Sequence, residues 1–124
     1  MLTAHLSSPF LRRYPIMAAG MGGVTLHELA AAASNAGGIG TLGAIPFTEK
    51  PEELRAEIKR TKALLNPGVT MFGVDLLLPS TEDGARKTNK GVGNDLLDTI
   101  CDVMIEEEVP LFVCGKYSRA PPAT

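Results

Sequence analysis

The chain has 124 residues, 44% of them hydrophobic and 21% charged, a composition that fits one packed domain and excludes a disordered, collagen-like or coiled-coil chain. With 12 basic against 14 acidic side chains the net charge is −2, which leaves no electrostatic footprint for nucleic acid or an anionic membrane. No apolar run approaches the ~20 residues needed to span a bilayer.

In chain order, Tyr14-Pro15-Ile16-Met17-Ala18-Ala19 is short and apolar and runs into Gly20-Met21-Gly22-Gly23, the pattern of a buried strand stopped by a glycine turn. Thr25-Leu26-His27-Glu28 has the spacing of a capping box, in which the threonine hydroxyl and the glutamate carboxylate satisfy each other's backbone N–H groups, so a helix is expected to start here. Leu29 to Ala33 continues it, and Asn35-Ala36-Gly37-Gly38 supplies a left-handed residue to end it. Gly38 to Ala44 is a second apolar strand, followed by a loop through Pro46.

Pro51 suits the first turn of a helix. Leu54, Ile58 and Leu65 then recur at helical spacing, while Glu52, Glu53, Arg55, Glu57, Lys59, Arg60 and Lys62 form the polar side, until Asn66-Pro67-Gly68 stops the helix. Val69 to Leu78 reads as a third strand, apolar on both faces except at Asp75, as expected where a parallel sheet is covered on both sides. A long loop, Pro79 to Gly93, precedes a third helix capped by Asn94 with Leu97, Ile100, Val103 and Met104 on one face. That helix ends in Glu106-Glu107-Glu108, an unfavourable charge at the negative end of its dipole. Leu111-Phe112-Val113-Cys114 is the fourth strand, and residues 115–124 form a polar, proline-bearing tail.

One helix between each pair of strands implies right-handed βαβ crossovers and a parallel sheet, the α/β class. A closed (β/α)8 barrel needs about 250 residues, so this length holds three and a half of its eight units. By length alone an open, doubly wound sheet fits better.

Two glycine patterns invite a dinucleotide reading. Gly38-Ile39-Gly40-Thr41-Leu42-Gly43 spells G-x-G-x-x-G, but it follows a helix and is itself the strand, the reverse of the context a pyrophosphate needs. Gly20 to Thr25 has the right context but lacks the third glycine, and no acid ends the second strand. What remains is a glycine turn at a strand's C-terminal end, where a planar or phosphorylated ligand can approach backbone N–H groups. Asp75, the lone ionisable group in an apolar strand, either takes its hydrogen bonds from nearby backbone or holds a polar ligand.

Other candidates are weaker. Arg86 and Lys87 lie beside Glu82 and Asp83 and read as a solvated loop. His5 and His27 have no partners at metal-ligand spacing, and His27 in a first helical turn is expected to face solvent. Cys101 reads as a core filler, and with Cys114 is too little for a disulfide framework, a zinc site or a C-x-x-C pair. Arg12 and Arg13 precede the first acid, Glu28, as in a transit peptide, yet without the apolar core of a secretion signal; a cytoplasmic location is the expectation.

Several segments together resemble the N-terminal half of the nitronate monooxygenases. They are Pro15-Ile16-Met17 through Ala19-Gly20-Met21, Glu28 to Ala32 with Ser34-Asn35-Ala36-Gly37-Gly38-Ile39-Gly40, Phe72-Gly73-Val74-Asp75-Leu76-Leu77-Leu78-Pro79, and Ala85-Arg86-Lys87-Thr88-Asn89. The resemblance runs from about Pro15 to Cys114; short pieces such as Ala-Gly-Met are shared with other flavin barrels, including flavin-dependent enoyl reductases. It implies residues 1–114 as the N-terminal half of a TIM barrel, a partial (β/α)8 fold of about three and a half units with a parallel sheet, and residues 115–124 as a divergent tail. It further implies FMN at the strand ends and oxidation of alkyl nitronates by dioxygen to carbonyl compounds and nitrite. Ala19, Gly20, Met21 and Gly22 match the segment against the flavin. Asp75 matches a position where many members have asparagine, and a carboxylate there suits a ring N–H or ribityl hydroxyl better than a phosphate.

Departures from the family pattern matter as well. Lys90-Gly91-Val92-Gly93 replaces a tyrosine-bearing continuation. Gly115 to Arg119 intervenes before Pro121-Pro122, as a splice or frame error would produce, and the later phosphate loops and the catalytic histidine have no counterpart here. The expectation is a fragment that is inactive alone and contains no catalytic residue. The alternatives are a non-catalytic half-barrel that pairs through exposed sheet edges with itself or a full-length homologue, and a fragment of an enoyl reductase.

Overall fold

The structure is a computed structural model that describes residues 14–78 and 94–116; His5, the Pro79–Gly93 loop with Arg86 and Lys87, and the tail beyond Lys116 lie outside the described residues. The elements run α1 (His27–Asn35), β1 (Thr41–Gly43), a 3-10 turn (Ile45–Phe47), α2 (Pro51–Leu64), β2 (Gly73–Leu78), α3 (Asn94–Glu106) and β3 (Leu111–Lys116). The strands form a parallel sheet in the order β1-β2-β3, with Thr41 beside Gly73 and Gly73 beside Leu111. The first expected strand, residues 14–19, is present as an extended segment on the free side of β1. It makes one parallel bridge, Met17 to Ile39, closed by Ala18 N–H donating to Ile39 O (2.8 Å) and Ile39 N–H to Ile16 O (2.9 Å). The second and third strands are shorter than the apolar runs that encode them, and the fourth continues past Cys114 to Lys116.

Alternation along the strands separates two faces. Leu42, Phe72, Val74 and Leu76 pack against Ala30 of α1, Leu54 and Ile58 of α2, and Ile100, Val103 and Met104 of α3, one cluster that forms the core. Each of its fully buried large side chains contributes about 1.5–3 kcal/mol. All three helices therefore lie on one face of a sheet whose strands follow chain order. A doubly wound sheet reverses its order and covers both faces, whereas successive right-handed crossovers in one direction build a barrel wall. Ile39, Thr41, Gly43, Gly73 and Asp75 point to the opposite, inner face.

Three expectations about the helices are corrected. Thr25 and Glu28 form no capping box: Leu26 is the N-cap residue and contributes no side-chain bond. Instead, Glu57 of α2 reaches across, its Oε2 accepting from the backbone N–H of His27 (3.2 Å) and from its Nδ1 (2.7 Å), while its Oε1 accepts from Arg60 (2.7 Å). Glu57 is thus buried rather than part of the polar side, and His27 turns onto it rather than into solvent. The carboxylate replaces the missing local cap and adds negative charge at the positive end of α1.

The acidic end of α3 is likewise resolved in space. Arg55 bonds Glu106 (2.6 Å) and Glu107 (3.0 Å), Lys59 lies 3.5 Å from Glu107, and Lys62 donates to the Glu107 carbonyl. Burial pushes the Glu107 carboxyl up, but Arg55, Lys59 and Lys62 outweigh it and hold it below the ordinary value. Cations from α2 thereby offset the charge of Glu106 and Glu107 at the wrong pole of the helix.

Candidate functional site at the strand ends

Beyond Ala18 the chain folds over the C-terminal end of β1 and comes to rest on β2. A Cβ on Gly43 would lie 2.7 Å from the Met21 carbonyl, and one on Gly20 would lie 2.4 Å from the Asp75 Cβ and 2.7 Å from its Oδ2. Gly43 requires glycine because backbone sits where a side chain would begin, and Gly20 because the Asp75 side chain does. The turn thus brings Ala19, Gly20, Met21 and Gly22 into one small region with Asp75, which lies far from them in sequence.

Thr25 holds this turn and was invisible to sequence reasoning in that role. Fully buried, its hydroxyl accepts from Met21 N–H (2.7 Å) and donates to Ala19 O (3.2 Å), while its own N–H donates to Met21 O (2.9 Å) and its carbonyl accepts from Gly43 N–H (3.0 Å). Competition from these backbone groups is why the hydroxyl does not cap α1. Thr25→Val keeps the shape but strands the Met21 N–H, and is expected to cost about 1–3 kcal/mol in chemical denaturation. Thr25→Ser should retain most of the stability.

Of the two readings of a carboxylate in an apolar strand, the described residues give no support to the first, satisfaction by nearby backbone. The backbone carbonyl of Asp75 accepts from Ala44 N–H (2.8 Å), but among the described residues its carboxyl accepts no hydrogen bond from the protein. Half-buried against Gly20, it is pushed by burial above the ordinary carboxylate value. Among the described residues the N–H groups of Gly20, Gly22 and Gly23 likewise make no internal bond, and the left-handed backbone at Gly23 (φ 76°) turns the chain back towards α1. The region therefore offers an open carboxyl and backbone donors, a set that suits the polar edge of a planar ring or a hydroxylated chain. Deeper on the inner face, the buried Thr41 hydroxyl has no hydrogen-bond partner among the described residues and sits beside Gly73. No group of three His, Cys, Asp or Glu side chains among the described residues could hold a metal ion.

The G-x-G-x-x-G run takes another part. Gly40 N–H donates to Ser34 Oγ (2.9 Å) and its carbonyl accepts from Gly73 N–H (2.8 Å), so it serves helix-to-strand packing and β1 pairing, with no phosphate loop. No helix among the described residues is long and apolar enough to cross a membrane.

Parallel strands in chain order with the helices on one face define a partial (β/α)8 barrel, with a glycine turn over an inward carboxyl at its strand ends. The solved structure of FabK from Thermotoga maritima superimposes with a TM-score of 0.63 and 31% identity over 84% of this chain and 27% of that one. Nitroalkane oxidase from Streptomyces ansochromogenes gives 0.63 and 28%, over 84% of this chain and 34% of that one. The family model for nitronate monooxygenase matches residues 4–119, and the chain belongs to that family of flavin-dependent oxidoreductases. Probable nitronate monooxygenases of Staphylococcus haemolyticus (strain JCSC1435) and Staphylococcus aureus (strain JH9) are 46% and 41% identical over 68 and 69 residues. Those stretches are 55% and 56% of this chain but 18% of each relative, so the match spans under a fifth of the relatives' length.

Proposed function

We propose that this chain carries the N-terminal part of an FMN site in a barrel that oxidises alkyl nitronates to carbonyl compounds and nitrite with dioxygen. The observation that carries the reading is the half-buried Asp75 carboxyl, without a donor among the described residues and lying against Gly20. The flavin, when bound, supplies the electron acceptor for nitronate oxidation. Gly20, Met21 and Gly22 would lie along it, their lack of bulk allowing backbone to approach the ring, and Asp75 would meet a ring N–H or a ribityl hydroxyl. Ionised, Asp75 accepts; protonated, which burial favours, it also donates, as an asparagine amide would.

The same geometry limits what the chain does alone. In a (β/α)8 barrel the phosphate site is frequently built after strands 7 and 8, beyond the part of the relatives matched here. His27 is bound to Glu57 between α1 and α2, in the helix layer, and serves no base at the inner face. The isolated chain should therefore retain little FMN and release no nitrite.

Flavin-fluorescence titration and nitrite release from propyl-2-nitronate in air test this. The wild-type chain is expected to bind FMN weakly, Asp75→Asn at least as well, and Asp75→Leu about tenfold more weakly, the loss of one hydrogen bond. Equal binding by Asp75→Leu, or nitrite above the free-flavin background that disappears in His27→Ala, would overturn the placement. A flavin-dependent enoyl reductase fragment is the second reading, since the same short glycine segments and the same barrel serve it. The Phe72 to Leu78 segment and the family match favour the first.

A further inference from the structure

We propose that Met21 is a site of reversible oxidation, its thioether taken to the sulfoxide by hydrogen peroxide, so that the ligand region at the strand ends responds to oxidant while the fold stays intact. The modification rests on the geometry of the turn; its effect on a ligand rests on the flavin reading given above.

Four methionines lie among the described residues, and they fall into two kinds. Met71 and Met104 are 7% and 6% exposed, and a sulfoxide at either would place a polar group in the apolar interior. Met17 and Met21 are 48% and 46% exposed. Of these two, only Met21 belongs to the turn over the strand ends. Gly20 before it lies against Asp75, Gly22 after it lies against Ile45 and Pro46, and its own carbonyl sits over Gly43. In a (β/α)8 barrel the active site lies on this C-terminal side of the strands, so a small oxidant reaches the Met21 sulfur by the route a ligand takes.

The backbone of the turn is secured without the Met21 side chain. Met21 N–H donates to Thr25 Oγ1 (2.7 Å), and Met21 O accepts from the N–H groups of Val24 (3.0 Å) and Thr25 (2.9 Å). An oxygen added to the sulfur breaks none of these bonds, and at an exposed position water solvates it. In the reaction a sulfur lone pair attacks one peroxide oxygen, the S–O bond forms, the O–O bond breaks and water leaves. Sulfur gives up two electrons and the peroxide takes them. Two thiols reverse the change, becoming a disulfide as the oxygen departs in water, the chemistry of methionine sulfoxide reductases. What alters is the side chain's character, from a flexible apolar group suited to the face of a planar ring to a polar one.

Peptide mass mapping of the 124-residue chain after timed exposure to dilute hydrogen peroxide in the dark tests the site. The Met21 sulfoxide, alongside that of Met17, is expected to form at least about tenfold faster than those of Met71 and Met104, which require the fold to open. The circular dichroism spectrum should be unchanged at full Met21 conversion, and a sulfoxide reductase supplied with a dithiol should restore the original mass. FMN titrations before and after peroxide then read the ligand region. Binding should weaken by about threefold or more in the wild-type chain and recover after the reductase. In Met21→Leu, which keeps the exposed Met17, peroxide should leave binding where it stood before treatment. Met21 oxidation no faster than that of Met71, loss of the folded spectrum on conversion, or an equal loss of FMN affinity in Met21→Leu would overturn the proposal. Absence of FMN binding before any peroxide, with Met21 still oxidised first and reversibly, would sink the flavin reading and uphold the modification.

Discussion

Replacing Gly40 by alanine is expected to abolish cooperative folding at room temperature. The new Cβ would lie 1.8 Å from the carbonyl oxygen of Ala30 and 2.5 Å from its carbon, well inside any contact that real side chains make. Neither side can withdraw. Ala30 is fully buried in the middle of α1, and the strand is held through Gly40 N–H to Ser34 Oγ and Gly40 O to Gly73 N–H. Relieving the clash means separating α1 from the sheet, a cost of at least about 4 kcal/mol, comparable with the whole stability of a small domain. Gly22→Ala is the control: its Cβ meets Ile45 at an ordinary 3.4 Å, and a change within about 0.5 kcal/mol is expected. Thermal melts followed by circular dichroism distinguish the two, and a folded Gly40→Ala chain would show that α1 does not pack where it is placed.

Glu57→Gln is expected to lower stability by about 2–3 kcal/mol at neutral pH, because α1 has no cap of its own and a neutral amide cannot accept all three bonds. Burial pushes the Glu57 carboxyl up, but hydrogen bonds from the His27 ring, the His27 N–H and Arg60 outweigh it and leave it below the ordinary value of 4.5. A carboxyl lowered in the folded state stabilises above its unfolded pKa, and that contribution is lost as pH falls through the folded value. Wild type and Glu57→Gln should therefore differ fully at pH 6 to 7 and converge as the pH drops below about 4. Urea midpoints measured across that range check it; a difference that persists unchanged at the acid end would remove the carboxylate from the explanation.

Both results turn on contacts that the sequence does not display. The helices, the βαβ order and the glycine stops at Gly37 and Gly68 were legible because period and turn chemistry act over a few neighbouring residues. Asp75 stood out in the sequence because a carboxylate in an apolar strand has no local explanation, and the structure leaves its carboxyl without a protein donor among the described residues. Thr25, Glu57, Glu106 and Glu107 were misread for a common reason. Each matches a local rule, capping box, polar helix face or dipole penalty, that a backbone carbonyl, a histidine or a cation from another element overrides. The same limit applies to the Gly38–Gly43 run, whose spacing says that small residues are needed without saying whether a phosphate or a helix comes close. Only the helix-strand-helix order around it pointed to packing.

The strand order carries a consequence for how the chain is made. Each strand pairs with the one preceding it in the sequence, from the Met17 bridge through Thr41 beside Gly73 to Gly73 beside Leu111. During synthesis every strand that leaves the ribosome therefore finds its neighbour already present, and the sheet can grow from the N-terminus without waiting for distant segments. Growth of this kind has no natural stopping point within the chain, because every addition leaves a fresh parallel edge exposed. Whatever meets that edge first, a further strand of the same polypeptide or another molecule, decides whether the nascent barrel closes or aggregates.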